Sequence, residues 1–504
     1  MLRSKDVLSK IRCSLPGMTV AICVLQPLLD VLSYFQIQLA FSNFSLGIRI
    51  VTICVMLLAA LTFLRRKKLF VVFLVTIILF LTGHVTACLQ LNPAYHWYED
   101  LSEHARFLML PLTTYCFTIF LRANENVFPA LKTGLVLAFS IIITIMLLSV
   151  VTGTDPHTYA DKKLGVRGWF FWTSAQSAIL SMLCPLVISW TLERFSWKLP
   201  PLVVACLLSF SALFAFGTRL SFASLVAVGI CMAFGMLIAN KKHWPQALTM
   251  ILCTTVFVAL LPLSPMRKNR SVLQENMQIK QDRIDAAVAE EAERVGADLG
   301  VAKEQLDLRV LAAAYRYNLQ GMIDRFGIER VASAYDYTLN ANQIFDNRVR
   351  KLNFTRLLME ESENQSPLAV LFGLELGRTR VEETEVYLFD TDDWIIQAEI
   401  SDPENDFYGI YYLSGIVGFA LLCLFLGFFD WNTIKLFLND RKKTLSPPVF
   451  AFLISFAIAL VYAWITVSVL RRNNASYYFA AVLACIYELS RRNISDHTKG
   501  EYTP

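Results

Sequence analysis

Three arginines and two carboxylates stand where this chain passes into or out of apolar runs. Arg167 lies in Leu164-Gly165-Val166-Arg167-Gly168-Trp169 and Arg219 in Phe216-Gly217-Thr218-Arg219. Arg348 lies in Asp346-Asn347-Arg348-Val349-Arg350, and Glu404 with Asp406 in Glu404-Asn405-Asp406. A guanidinium is a planar fork that grips two phosphate oxygens at once and stays charged. A departing diphosphate gains negative charge as its bond to the transferred group breaks, and fixed cations in a partly dry site stabilise that charge without reorganising. A carboxylate in reach of an attacking hydroxyl accepts its proton. These residue types suit transfer of a group from a diphosphate carrier to a hydroxyl acceptor. The arginines can stand in for a divalent cation, so the scheme needs neither a metal nor a cofactor.

Each residue also has a plainer reading. Arg219 at a helix end can snorkel to lipid headgroups. Arg167 beside Trp169 can anchor a membrane interface, and Arg348 can sit in a surface salt bridge. Glu404 and Asp406 can be a solvated loop end or an acidic pair favoured by a helix N-terminus. Asp30, in Gln26-Pro27-Leu28-Leu29-Asp30, is an ionisable residue near the middle of an apolar run. It is either functional or a hydrogen-bond partner for a neighbouring helix. His84 and His96 read as isolated structural residues, and His157 in Asp155-Pro156-His157 is an alternative base.

The elements that must position these groups follow from hydropathy. Hydrophobic residues make up 55% and charged residues 17%, and the mean hydropathy is +0.48, which excludes a soluble domain of this length. A ~30 Å hydrocarbon core takes about 20 apolar helical residues. About twelve such runs occur, roughly at 17–38, 44–64, 69–89, 106–121, 131–151, 170–190, 200–216, 219–239, 245–265, 408–429, 449–470 and 475–489. Continuous runs favour helices over the alternating strands of a barrel. The expected fold is therefore an all-α polytopic membrane protein. It divides into an N-terminal membrane domain at 1–266, an extracytoplasmic, mainly helical insert at 267–407 between spans nine and ten, and a C-terminal membrane segment at 408–504.

Basic residues set the expected orientation. Arg3, Lys5, Lys10 and Arg12 precede the first run, Arg65-Arg66-Lys67-Lys68 follow the second and Lys241-Lys242 the eighth. Arg441-Lys442-Lys443 follow the tenth and Arg491-Arg492 the last. With twelve spans these share one side, which puts both termini in the cytoplasm and leaves Arg471-Arg472 as the exception. The net charge of +5 thus reports topology rather than nucleic-acid binding. The eleven cysteines sit in or beside apolar runs, Cys13 apart, in no disulfide or zinc-like spacing, and read as packing residues. The first run reads as an uncleaved span.

Within the insert, 284–292, 306–319 and about 340–361 have helical periodicity. The segment 378–402 reads as a loop or a short hairpin. The insert is either a helical cap that delivers residues to the membrane face or a soluble appendage.

Four patches resemble the O-antigen ligase and polymerase superfamily of bacterial envelope glycosyltransferases. Arg167-Gly168-Trp169-Phe170 leading to Ser177-Ala178-Ile179-Leu180 is similar to its arginine–glycine–aromatic patch, and Gly217-Thr218-Arg219-Leu220-Ser221 to its arginine hairpin. Asn347-Arg348 with Leu371-Phe372-Gly373-Leu374-Glu375-Leu376-Gly377 resembles the insert's arginine followed by paired glycines. Glu404-Asn405-Asp406 with Gly415 and Gly418 resembles the last patch, where the ligases carry a histidine in place of Glu404. The resemblance implies a metal-independent glycosyltransferase of the bacterial cytoplasmic membrane with an extracytoplasmic site. Arg167, Arg219 and Arg348 would bind the diphosphate of an undecaprenyl-diphosphate-linked glycan donor. Glu404, assisted by Asp406, would orient or deprotonate the acceptor. An acidic residue in place of histidine resembles polymerases, which join lipid-linked repeats. A ligase acting on a separate surface acceptor is the alternative, and other polysaccharide-assembly proteins are the implied partners. A flippase or transporter should show charged or broken helices at mid-depth in paired halves, and Asp30 has no counterpart. A receptor would leave Arg167 and Arg219 without a role.

Overall fold

A computed structural model describes residues 2–38, 44–64, 67–92, 95–295, 319, 321–337, 340–344, 346–363, 365–375, 381–387, 394–400 and 405–500. Ten of the described helices are long and apolar enough to cross a membrane. They include α1 (Leu2–Gln38), α2 (Phe44–Thr62), α3 (Lys67–Leu91), α4 (Trp97–Ala123), α5 (Val127–Val151), α6 (Thr173–Arg194), α7 (Leu199–Phe216) and α8 (Arg219–Ala239). Helices Asp406–Asn439 and Pro447–Ile465 complete the ten. The remaining two apolar runs are helical as well. One is α9 (Trp244–Ala259), of sixteen residues, and the other is the first half of Asn473–Gly500. Helix α10 (Pro265–Val295) contains the predicted 284–292 helix.

The chain packs as two compact units. The first comprises Met1–Phe70, His104–Asn269 and Leu422–Pro504. Its centre is α6, buried along almost all of its length because it is studded with small residues. Ser177 and Ser181 lie 2.7 and 2.9 Å from the Tyr462 hydroxyl, and Ser455 Oγ donates to the Met182 carbonyl at 2.7 Å. Such hydroxyls replace the hydrophobic effect as adhesive where the surrounding solvent is itself apolar. Helix α1 packs closely on α5, where a side chain on Gly134 would meet Cys23 and Val20 at 3.1–3.2 Å.

Contacts fix which helix ends share a side. Ser33 on α1 meets Ser45 on α2 at 2.7 Å, and Ser174 at the head of α6 donates to Val467 O beyond Pro447–Ile465. Tyr159, after α5, donates to Gly217 O between α7 and α8. These junctions form one end of the unit. At the other end Asn124 donates to Arg12 O, and Lys132 pairs with Glu193 at 2.8 Å.

The second unit comprises Val71–Glu103 and Arg270–Leu421. Ile284 and Val288 of α10 join Leu319, Met322, Phe354, Leu358 and Tyr412 in one apolar core. The predicted helix near 340–361 appears as two pieces, Ala341–Ile344 and Asn347–Glu363. Within 378–402 the chain forms an antiparallel hairpin, Val381–Tyr387 with Trp394–Ile400. Of the predicted helix at 306–319, all but Leu319 lies outside the described residues.

Candidate functional site

Asp155 organises the loop that carries Arg167. Its Oδ1 accepts from the backbone N–H of Arg167 at 3.1 Å and of Gly168 at 2.7 Å, and from Ser149 Oγ at 3.1 Å. Its Oδ2 accepts from the His157 N–H at 3.0 Å and faces His157 Nδ1 at 3.2 Å. His157 Nδ1 also lies 3.0 Å from Gly165 O. These two acceptors place the proton on Nδ1 and leave Nε2 as the acceptor nitrogen. The loop then docks on the turn between α7 and α8, with Val166 N donating to Ala215 O at 2.9 Å and Tyr159 to Gly217 O at 3.1 Å.

That turn is tight because Gly217 has φ +73 and a Cβ there would lie 2.6 Å from Pro265. Thr218 caps α8 by accepting from Ser221 N at 3.1 Å, so Arg219 is the first helical residue, exposed at the unit's end. Arg167 Nη1 donates to Thr173 Oγ1 at 3.2 Å. Burial pulls its guanidinium below the ordinary value, opposed by Tyr34 and Asp155. The Tyr159 phenol is pushed up by burial, and the nearby Arg219 charge and Asn269 oppose that shift. Arg167 and Arg219 therefore share one end of one unit, on segments that touch.

Arg348 and Asp406 belong to the second unit. Arg348 is exposed in the first turn of Asn347–Glu363, where its N–H donates to Asp346 Oδ1 at 2.8 Å. Two residues on, Arg350 is 2% exposed. Asp406 opens its helix fully buried, behind Asn405, whose Oδ1 caps Tyr408 N at 2.9 Å. Glu404 lies outside the described residues.

His84 is not isolated. Its Nδ1 lies 2.8 Å from Phe372 O and its Nε2 2.6 Å from Asp100 Oδ2, which also accepts from Tyr95 at 2.7 Å. Cys88 is nearby, and the three ligand-type atoms lie within 4.8 Å of one another. Metal bonds of ~2.0–2.2 Å to both atoms would spread nitrogen and oxygen beyond 2.6 Å, so the geometry is that of a hydrogen-bonded pair. It ties α3 to the segment before Gly373. His96 is exposed, and its backbone N–H donates to Glu375 at 2.8 Å.

The residues that sequence reasoning left apart meet in the first unit. Arg49 Nη2 donates to Asp30 Oδ1 at 2.5 Å, and Asn474 Nδ2 to Asp30 Oδ2 at 3.1 Å. Helix α1 runs to Gln38, so Asp30 sits about two turns from its end rather than at its middle. Beside this network is a cavity of about 170 Å³, whose lining includes Asp30, Arg49, Arg106, Trp172, Arg471 and Arg472. The clue in the sequence was Arg471-Arg472, the basic pair that broke the charge pattern.

Residues 16–324, more than half of the chain, match the model of a family described as O-antigen ligase like membrane protein. The match takes in Asp30, Arg49, Arg106, Arg167 and Arg219 and ends before Arg348, Asp406 and Arg471. Comparison with curated proteins gives no match.

Proposed function

Because the chain belongs to the O-antigen ligase like membrane protein family, we propose that it joins lipid-linked oligosaccharide repeats into a cell-surface polysaccharide. The donor is a glycan on undecaprenyl diphosphate, and the arginine-bearing end of the first unit faces the outside of the bacterial cytoplasmic membrane. The acceptor hydroxyl oxygen attacks the anomeric carbon. The bond from that carbon to the carrier's diphosphate oxygen breaks with its electron pair, and the hydroxyl proton passes to a base.

The observation that carries this reading is the docking of the Asp155-clamped loop on the α7–α8 turn. It brings Arg167 and Arg219 to one end of one unit on backbone held by named hydrogen bonds. Rigid placement matters because donors aimed in advance at developing charge stabilise it most. The roles of Arg348 on the donor and of Glu404 and Asp406 on the acceptor proton rest on the resemblance of their sequence patches. A ligase that hands a finished glycan to a different surface acceptor is the second reading; the acidic residue at Glu404 favours the first.

The deciding experiment supplies purified protein with lipid-diphosphate-linked repeats alone. Long products support the polymerase. Transfer of a single block, and only when a different acceptor is added, supports the ligase. Arg219→Lys should keep the protein in the membrane and lower transfer about 10²–10³-fold, since a point charge cannot reproduce a two-pronged phosphate contact. Normal turnover by Arg219→Lys at equal abundance would return Arg219 to the role of a lipid anchor.

A further inference from the structure

We infer that Tyr462 is a positioning residue of the transfer site: its hydroxyl, acting through Ser177, holds the α7–α8 turn that carries Arg219. The inference rests on the reading of Arg219 as a diphosphate ligand and says what fixes that ligand in place.

The hydroxyls of Tyr462, Ser177, Thr218 and Ser221 form a relay from a buried helix to the turn. Ser177 Oγ lies 2.7 Å from the Tyr462 hydroxyl and 2.9 Å from Thr218 Oγ1, and Thr218 Oγ1 lies 2.9 Å from Ser221 Oγ. Each hydroxyl has one proton to give, so the far end of the relay fixes its direction. Ser221 Oγ donates to the Thr218 carbonyl, which can only accept. Thr218 Oγ1 therefore donates to Ser221 Oγ, Ser177 donates to Thr218 Oγ1, and Tyr462 donates to Ser177. Ser181, 2.9 Å from the same phenol, donates to it in turn. Hydrogen bonds aligned head to tail strengthen one another. Tyr462, Ser177, Ser181 and Ser221 are all buried. A hydroxyl withdrawn this far from water is costly without a partner, which keeps the relay closed.

Two observations tie the relay to Arg219 rather than to helix packing alone. The first is the direction in which Ser177 turns. Helical Ser and Thr hydroxyls commonly donate to the carbonyl four residues back, as Thr118, Thr144 and Thr191 do here. Ser177 turns instead to Thr218, the residue that caps α8 and precedes Arg219. The proton donated by Tyr462 holds it in that orientation. The second is the placement of Ser177 on α6. Thr173 and Ser177 stand one turn apart on the same face of that helix. Thr173 accepts from the Arg167 guanidinium at 3.2 Å, and Ser177 reaches the segment of Arg219. One face of α6 thus serves both arginines, and Tyr462, on helix Pro447–Ile465, locks that face to the turn. Tyr159 holds the neighbouring Gly217 carbonyl, so the turn is bound both to the loop of Arg167 and to the helix of Tyr462.

Hydrogen exchange of the full chain in detergent, read by mass spectrometry at the peptide containing Gly217 to Ser221, tests the relay without relying on activity. Tyr462→Phe and Ser177→Ala should exchange that peptide about tenfold faster than the parent. Ser455→Ala is the control. It removes a bond between the same two helices outside the relay and should leave the peptide unchanged. Transfer between lipid-diphosphate-linked repeats then shows what the turn is for. Tyr462→Phe should lower kcat about tenfold with KM little changed. In an Arg219→Lys background the same substitution should cost less than about twofold, since a residue that acts through Arg219 has nothing left to position. Parental exchange at the turn in both Tyr462→Phe and Ser177→Ala would overturn the inference. So would an equal loss of transfer with and without Arg219→Lys, which is what a merely structural role predicts. Normal turnover by Arg219→Lys would instead sink the reading of Arg219 as a diphosphate ligand, while faster exchange at the turn would still show Tyr462 holding it.

Discussion

Gly415 and Gly373 lie backbone against backbone: a Cβ on Gly415 would fall 2.5 Å from Gly373 N and from Leu371 O. Both residues have positive φ, +61 and +90. Next to them Leu374 N donates to Tyr412 O at 3.1 Å. Two glycines 42 positions apart in sequence thus let the segment after Pro367–Phe372 lie on a kink in helix Asp406–Asn439.

Alanine at either position should therefore destabilise the second unit. The backbone term alone is ~1–3 kcal/mol, and steric overlap adds to it. Gly427 is the control, since nothing lies within 4 Å of a Cβ there. Thermal unfolding in detergent, followed by tryptophan fluorescence, should show lower midpoints for Gly373→Ala and Gly415→Ala. Gly427→Ala should match or exceed the parent, because alanine is the better helix former. Equal midpoints for all three would mean the two backbones do not meet.

The Asp155 clamp predicts a kinetic defect without a folding defect. Asp155→Ala removes the acceptor for the Arg167, Gly168 and His157 N–H groups. Arg167 would then sit on a loose loop, and a misplacement of about 1 Å typically costs ~10²-fold in rate. Asp155→Asn retains one oxygen for Arg167 and Gly168 and should lose less. Membrane abundance and transfer rate are measured together. Parental rates for Asp155→Ala would show that the docking on Ala215 and Gly217 is enough to hold the loop.

The apolar runs were legible because a spanning helix must satisfy its backbone internally and its side chains must suit lipid, a requirement written in about 20 consecutive residues. The α7–α8 hairpin was legible for the same reason: Phe216-Gly217-Thr218-Arg219 leaves a chain no other way to turn. The arginine cavity was not. Arg49, Arg106 and Arg471 come from parts of the chain that no spacing rule connects, and each alone resembles a snorkelling interface residue. Asp30 was visible as costly, but its partner Arg49 lies on the next helix, and helix-to-helix register is set by packing rather than by local pattern. The Asp155 clamp was missed because an Asp-Pro-His turn signals a loop without saying which N–H groups its carboxylate will collect.

Topology follows from the shared end of the first unit. Thr218 lies at that end, and the proposed orientation, read from the basic loops, puts the opposite face in the cytoplasm. In a cysteine-free background, Thr218→Cys and Asn405→Cys should react with an impermeant thiol reagent on intact cells. Reaction of either only after permeabilisation would invert the orientation on which the proposed function depends.

The role of Glu404 separates a proton acceptor from a loop residue. If Glu404 takes the acceptor's proton, Glu404→Gln should accumulate normally and bind undecaprenyl diphosphate like the parent, yet transfer about 10²–10⁴-fold more slowly. Glutamine is nearly isosteric and keeps hydrogen-bonding capacity, so lost packing would not account for such a defect. The sign of the pH dependence follows from the ionised form being the base. Parental transfer should fall as pH is lowered through the carboxylate range, and this acid limb should be missing from the residual activity of Glu404→Gln. Asp406→Asn should lose less, because Asp406 only assists. Parental transfer by Glu404→Gln would remove Glu404 from the chemistry. It would direct attention to His157, whose Nδ1 proton is held by Asp155 and Gly165 and whose Nε2 is the nitrogen able to accept a proton.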